Sequence, residues 1–354
     1  MSQGGEGSFG EHITSIYSDD EGITWQGPFS IENPAGVDNG VPNAYAIVVR
    51  SMIESENMSR IFAIYNLNVD NITKPTIPGR DDELGYFYMR YSDDGGESWS
   101  KNRWRVEYPR TWIDRNNKPF SSLNMTTNIM WTVDHVKVMN KTAYFAFTKI
   151  GTYVQNPPEE IFVMKSSDLL LEEGMKDDLS SVSWIMLPND EDHGVRSPKG
   201  FNPNTTVMEE GHVLPLSSGK MHIIARTSLG YIASSTRDKD LTSASCEDGE
   251  YSRFALYWNN SESSLCALSD VIIENTTVRS GVKHPRGPLT PKQVSKGRFL
   301  MLYYNTKSGG SFGRDPYWLT SGLEVNDTIL WSQPEIVLYD RSYHGGTSAG
   351  GYPD

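Results

Sequence analysis

The stretch YSDDEGITW, residues 17–25, returns as YSDDGGESW at residues 91–99. Ser18, Asp20, Gly22, Thr24 and Trp25 answer to Ser92, Asp94, Gly96, Ser98 and Trp99. The chemistry is that of a tight β-turn: short Ser and Asp side chains bond nearby backbone amides, and glycine supplies a positive φ. The hydroxyl residue and the tryptophan then lead into another strand.

The flanks extend the repeat. Alternating strands precede the turns at 12–17 (HITSIY) and 86–91 (YFYMRY), and similar ones stand at 161–166, 230–235 and 316–321. One strand earlier lie 60–68, 142–150, 220–228 and 298–306; Trp-led strands follow the turns at 25–32, 99–107, 184–190 and 331–339. A unit of strand, strand, turn and Trp strand therefore recurs at intervals of roughly 60–85 residues, with almost no helical periodicity. Such an order points to a β-propeller or a β-solenoid, and four strands per repeat favours the propeller. The first unit holds only its last two strands, at 12–32. Fuller units follow near 41–107, 131–188, 206–258 and 283–339, and another begins at GGYPD, 350–354. The expectation is an all-β, six-bladed propeller of four-stranded antiparallel blades, the first and last incomplete.

The 354 residues, 37% hydrophobic, suffice for a large core, and a chain of this length can be one all-β domain. The net charge of -13 and the lack of a Lys/Arg run argue against nucleic acid as a partner. No apolar run approaches the roughly 20 residues of a membrane helix, and no leader peptide opens the chain. Eight N-x-S/T triplets, at Asn57, Asn71, Asn124, Asn140, Asn204, Asn259, Asn275 and Asn326, lead us to expect a secreted or lumenal glycoprotein. Cys246 and Cys266 are a disulfide or two buried thiols.

The repeated phrase resembles the Asp-box of the sialidase (neuraminidase) superfamily, and the resemblance runs over nearly the whole chain. Degenerate copies are expected at 166–168, with an insertion before Trp184, at 234–238 and at 321–331. The resemblance implies one propeller domain over 1–354, truncated at both ends. It also implies that Ser18, Asp20, Gly22, Trp25, Ser92, Asp94, Gly96 and Trp99 are structural, on the rim away from the chemistry.

Sialic acid carries a carboxylate on its anomeric carbon, and a planar guanidinium holds a carboxylate with two hydrogen bonds. The family uses arginines from different blades and a tyrosine nucleophile backed by a glutamate. EEGHVLPLSSGKMHIIARTSLG, 209–230, resembles the segment in which a glutamate opens one strand and an arginine ends the next. It nominates Glu210 as the tyrosine's partner, with Glu209 as its rival, and Arg226 as carboxylate binder. KHPRGPLTP, 283–291, nominates Arg286; SAGGYPD, 348–354, nominates Tyr352 as nucleophile, with Tyr343 a rival.

The aspartate that would serve as acid/base is missing from residues 1–13, where Glu6, Glu11 or His12 stand instead. Polar loops at 108–120, 192–206 and 309–318 either contact a glycan or merely connect blades, and Arg314 in the last lines the site or lies on the rim. NDEDHG, 189–194, reads as a solvated acidic loop, and no metal-binding, nucleophile-elbow or phosphate-loop motif occurs, so neither metal nor cofactor is expected. The leading expectation is a retaining exo-glycosidase acting on sialic acid or a related acidic sugar of a glycan. The alternatives are a propeller hydrolase for another sugar, such as an exo-arabinanase, and an inactive glycan-binding propeller.

Overall fold

The computed structural model describes residues 2–3, 12–32, 46–55, 58–67, 84–115, 128–150, 159–189, 193–195, 208–227, 232–237, 287–305 and 316–338. Their regular structure is almost wholly antiparallel β-sheet. The chain divides into two compact units, one of Met1–Phe145, Lys149–Tyr153 and Met164–Met186, the other of Ala146–Thr148, Val154–Val163 and Leu187–Asp354.

The chain begins with a three-stranded sheet of β1 (Ser2–Gln3), β2 (His12–Tyr17) and β3 (Gln26–Ser30). A meander follows: β4 (Ala46–Ser55), β5 (Met58–Leu67), β6 (Leu84–Ser92) and the short β7 (Trp104–Arg105). This is the four-stranded unit expected from the repeat. Then come a one-turn helix, α1 (Trp112–Arg115), and β8 (Asn128–Trp131), which joins the start of β6. β9 (Lys137–Met139), β10 (Thr142–Lys149), β11 (Glu160–Ser166) and β12 (Ile185–Leu187) complete a path β12-β11-β10-β8-β6-β5-β4. From Ala143 to Lys149 every residue of β10 is buried, so its run of apolar side chains is that of a strand covered on both faces.

The third sheet is β13 (Met208–Pro215), β14 (Met221–Thr227) and β15 (Ile232–Arg237). The fourth is β16 (Thr290–Ser295), β17 (Arg298–Tyr303) and β18 (Tyr317–Val325), with β19 (Thr328–Trp331) and β20 (Glu335–Leu338) sharing the outer edge of β18. These two sheets share a core of Leu214, Ile224, Ile232, Leu289, Phe299 and Met301. The Ser217 and Lys220 side of the β13–β14 turn meets Glu324 and Asp327 at the β18–β19 turn. Arg226, toward the other end of the β13–β14 hairpin, is therefore remote from these turns.

The two quoted phrases fold alike. The Ser18 hydroxyl donates to Asp20 Oδ1 at 2.8 Å and accepts the Gly22 N–H at 2.8 Å, with Gly22 at φ +87°. Asp20 in turn accepts the Thr24 N–H at 2.8 Å and the Thr24 hydroxyl at 2.6 Å. Those hydrogen bonds, the Thr24 hydroxyl's first among them, draw the Asp20 carboxyl down to about 2. Ser92, Asp94, Gly96 and Ser98 repeat the wiring. A third version survives an insertion: Ser166 accepts the N–H groups of Asp168 and Leu169, and Asp168 accepts both the N–H and the hydroxyl of Ser183. The inserted residues form two short 3-10 turns, Glu172–Met175 and Leu179–Ser181, ahead of Trp184.

One expected copy is not a turn of this kind. Residues 321–331 form a β-hairpin: β18 runs on to Val325, and Asn326 and Asp327, at φ +48° and +61°, make the two-residue turn into β19. There strand pairing has taken the backbone groups that the turn would use. Of the copy expected at 234–238, residues 234–237 lie in β15, and Asp238 lies outside the described residues. The asparagines of two N-x-S/T triplets, Asn140 and Asn326, occupy left-handed positions of exposed hairpin turns, a conformation asparagine tolerates better than most residues. Trp25 and Trp184 stand just ahead of strands rather than leading them, Trp99 precedes β7 by five residues, and Trp331 ends β19.

One difference between the phrases shows how sheets dock. The Trp25 indole N–H donates to the carbonyl of Gly22 at 3.0 Å and the ring is 59% exposed. The Trp99 indole instead donates to Ser15 Oγ on β2 at 3.1 Å, and the Ser15 hydroxyl donates to the Gly96 carbonyl at 2.6 Å. A hydroxyl from the first sheet is thus inserted into the turn of the next. Ser15→Ala removes the relay and leaves both groups short of a partner, so it is expected to cost about 1–3 kcal/mol. Urea unfolding checks this; a loss equal to that of a surface control such as Ser295→Ala, at an exposed position of β16, would show that the relay contributes nothing.

Candidate functional site

The glutamate-and-arginine hairpin expected at 209–230 is β13 and β14, turning at 216–220. Glu209 pairs directly with Arg226, and His212 pairs with Ile224. Two residues of β13, Glu210 and Gly211, therefore oppose the single Ala225: a β-bulge. In a regular strand Glu209 and Glu210 would point to opposite faces. The bulge brings both carboxylates to Arg226.

Tight packing holds the bulge. Glu210 takes φ +51°, a left-handed conformation that costs a non-glycine residue about 1–2 kcal/mol. Its N–H donates to Thr148 Oγ1 on β10 at 3.0 Å. At Gly211 a Cβ would lie 2.6 Å from Cγ2 of Ile161 on β11, so only glycine fits without displacement. Ile161 is itself tied to Val195 by a reciprocal pair of backbone hydrogen bonds.

Arg226 Nε donates to Glu209 Oε1 at 2.9 Å, and Nη2 lies 2.7 Å from the same oxygen. Nη1 lies 2.9 Å from Glu210 Oε1. Glu209, Glu210 and Arg226 are 0%, 1% and 3% exposed. The charge-assisted hydrogen bond from Nε to Glu209 and the ion pair of Nη1 with Glu210 are strengthened where water is excluded. Two carboxylates share one guanidinium.

Beside the bulge, Glu160 is fully buried; its carboxylate accepts the Gly194 N–H at 3.0 Å and meets His193 Nδ1 at 2.9 Å. Residues 193–195 are therefore pinned, while Asp190, Glu191 and Asp192 of the acidic stretch lie outside the described residues. In the other unit the polar stretch from 108 is likewise not a simple connector. Asp114 in α1 is buried against Lys149, Oδ2 to Nζ 2.7 Å, and Lys149 also donates to the Pro109 carbonyl at 2.9 Å.

Of the nominated residues, Glu210 and Arg226 are in contact. Glu6, Glu11, Arg286, Arg314, Tyr352 and Tyr343, with Cys246 and Cys266, lie outside the described residues. His12 is described as part of β2. Sequence reasoning passed over the role of Glu209 at Arg226 and those of Thr148, Gly211 and Lys149. A glycine inside a strand pattern signals a bulge, so Glu-Glu-Gly was the available clue. Nothing local marked Thr148 or Lys149. Among the described residues no group of His, Cys, Asp and Glu is placed to hold a metal ion, and no helix is long and apolar enough to cross a membrane.

No protein-family model matches the chain, and no curated protein matches it in sequence. In structure it is similar to the Hadza microbial sialidase Hz136, with TM-score 0.55 at 16% identity over 94% of this chain and 53% of that one. It is also similar to the K499G mutant of the NanB sialidase from Streptococcus pneumoniae, with TM-score 0.51 at 13% identity over 93% and 56% of the two chains. The chain has a sialidase-like fold. It spans about half the length of these two sialidases, and at such identities the likeness is one of fold.

Two outcomes follow from the geometry of this hairpin. Glu210→Gly relieves the left-handed backbone and removes one of two neighbouring carboxylates, while Arg226 keeps Glu209. Its thermal stability is expected to stay level or rise, by up to about 1 kcal/mol; a loss above about 3 kcal/mol would make Glu210 an anchor of the fold instead. His222 on β14 is buried, bonded to Thr236 Oγ1 at 2.7 Å, and burial pushes its imidazole down to about 3. The unfolded chain binds that proton near 6.5, so the contribution of His222 is complete above pH 6.5. It is lost progressively as pH falls toward 3, by up to about 1.4 kcal/mol per pH unit. His222→Gln is expected to flatten the stability curve across that window in denaturant titrations.

Proposed function

We propose that this protein is a sialidase-like exo-glycosidase that releases terminal sialic acid, or a related acidic sugar, from glycans with retention. The proposal includes the six-bladed ring in which strands of successive blades bring their ends to one well. The observation that supports it most is the arginine held by two buried carboxylates on a strained bulge. Residues kept in such a conformation cluster where function demands it.

In this reading Arg226 and Arg286 receive the sugar's carboxylate. Two carboxylates already lie against Arg226, and a second arginine adds the positive charge that favours an incoming anion. Tyr352 attacks the anomeric carbon while Glu210 accepts its phenolic proton. A phenol suits this substrate better than a carboxylate nucleophile, which the sugar's own charge would repel. A carboxylic acid among residues 6–12, Glu6 or Glu11, gives its proton to the departing oxygen. Water then hydrolyses the tyrosyl-sugar bond with the same residue acting as base.

The test is hydrolysis of a fluorogenic N-acetylneuraminide set beside neutral arabino-oligosaccharides. Release of N-acetylneuraminate is expected, with Glu210→Gln lowering kcat by roughly 10²–10⁴-fold and Tyr352→Phe abolishing turnover. Cleavage of the arabino-oligosaccharides alone, or sugar binding without any turnover, would dismiss the proposal.

A further inference from the structure

We infer that Glu209 is the positioning residue of the Arg226 site: it holds the guanidinium in the plane that receives a ligand carboxylate and takes no part in bond making. The inference rests on the reading of Arg226 as an anion receiver.

The two glutamates at Arg226 are held differently. Glu209 sits in regular register directly across from Arg226, so the separation of the two backbones is set by the sheet. One of its oxygens takes both Nε, at 2.9 Å, and Nη2, at 2.7 Å. Nε lies at the root of the guanidinium plane, and gripping it with the neighbouring Nη2 stops rotation about the last side-chain torsions. An arginine with that edge engaged is a rigid fork; one held only at its tip still swivels.

Glu210 touches the tip alone, at Nη1. It does so from a left-handed residue whose N–H is tethered by Thr148 and whose neighbour must be glycine. That construction is superfluous for orienting Arg226, which Glu209 already achieves from an unstrained strand. The second carboxylate is therefore there for reaction and the first for orientation. Adjacent residues serve one arginine only because the bulge breaks the strand's alternation.

Binding of N-acetylneuraminate and of its uncharged methyl ester, measured by calorimetry, separates the roles. In Glu209→Gln the acid is expected to bind roughly 10–100-fold more weakly and the ester as in the wild type. KM for a fluorogenic sialoside should rise more than kcat falls. Glu209→Asp keeps the charge but cannot span Nε and Nη2 together. It should fold and lose acid binding by an intermediate factor, which covers the case in which the glutamine variant does not fold. A merely structural residue would lower the melting temperature without changing the acid-to-ester ratio. Unchanged acid binding in the aspartate variant, equal losses for acid and ester, or no binding of acid by the wild type overturns the inference. Acid binding by the wild type without turnover would sink the enzymatic reading of the site and leave the role of Glu209 standing if the ratio shifts as stated.

Discussion

The bulge at Glu210–Gly211 is the constraint on which the site depends. A pleated strand sends neighbouring side chains to opposite faces, and two carboxylates can meet one guanidinium only where that rule is broken. Here it is broken by one extra residue in β13, and the break is held by parts of two other strands. Thr148 takes the displaced N–H, and Ile161 fills the space where any side chain at 211 would go. The left-handed backbone at Glu210 is a local cost that this surrounding packing offsets.

Charge balance gives the site its chemical character. Buried Glu209 and Glu210 both lie against Arg226, and burial strengthens the attraction between the opposite charges. Glu160 at the start of β11 and Lys149 at the end of β10 show the same habit of the chain: charged side chains at strand ends, buried and tied to backbone groups of adjoining segments.

Much of the fold could be read in the sequence because its signals are short. The wiring of Ser18, Asp20 and Thr24 closes within six residues, and alternation along 86–91 or 142–150 marks a strand without reference to partners. The reading failed where a longer-range partner competed for the same groups. At 321–331 the tryptophan, serine and acidic residues looked like another turn phrase, yet β18 gained more by continuing along β17 and pairing with β19. The Trp184 phrase kept its wiring despite its insertion because Asp168 still reaches the residue before the tryptophan. The hydroxyl relay through Ser15 had no signature, since it joins groups 84 and 81 residues apart.

By itself the sequence determined the strand segments and their order within repeats, which follow from side-chain alternation and from hydrogen bonds closed between near neighbours. The choice of Glu210 and Arg226 came from the resemblance of 209–230 to a known segment. Only the tertiary structure decided that Glu209 and not Glu210 grips the root of Arg226. It alone decided that β13 is bulged and that Lys149 and Asp114 are a buried pair. Those outcomes depend on which backbone group Thr148 reaches and on how much room Ile161 leaves. Such facts belong to contacts between distant segments, and no local pattern encodes them.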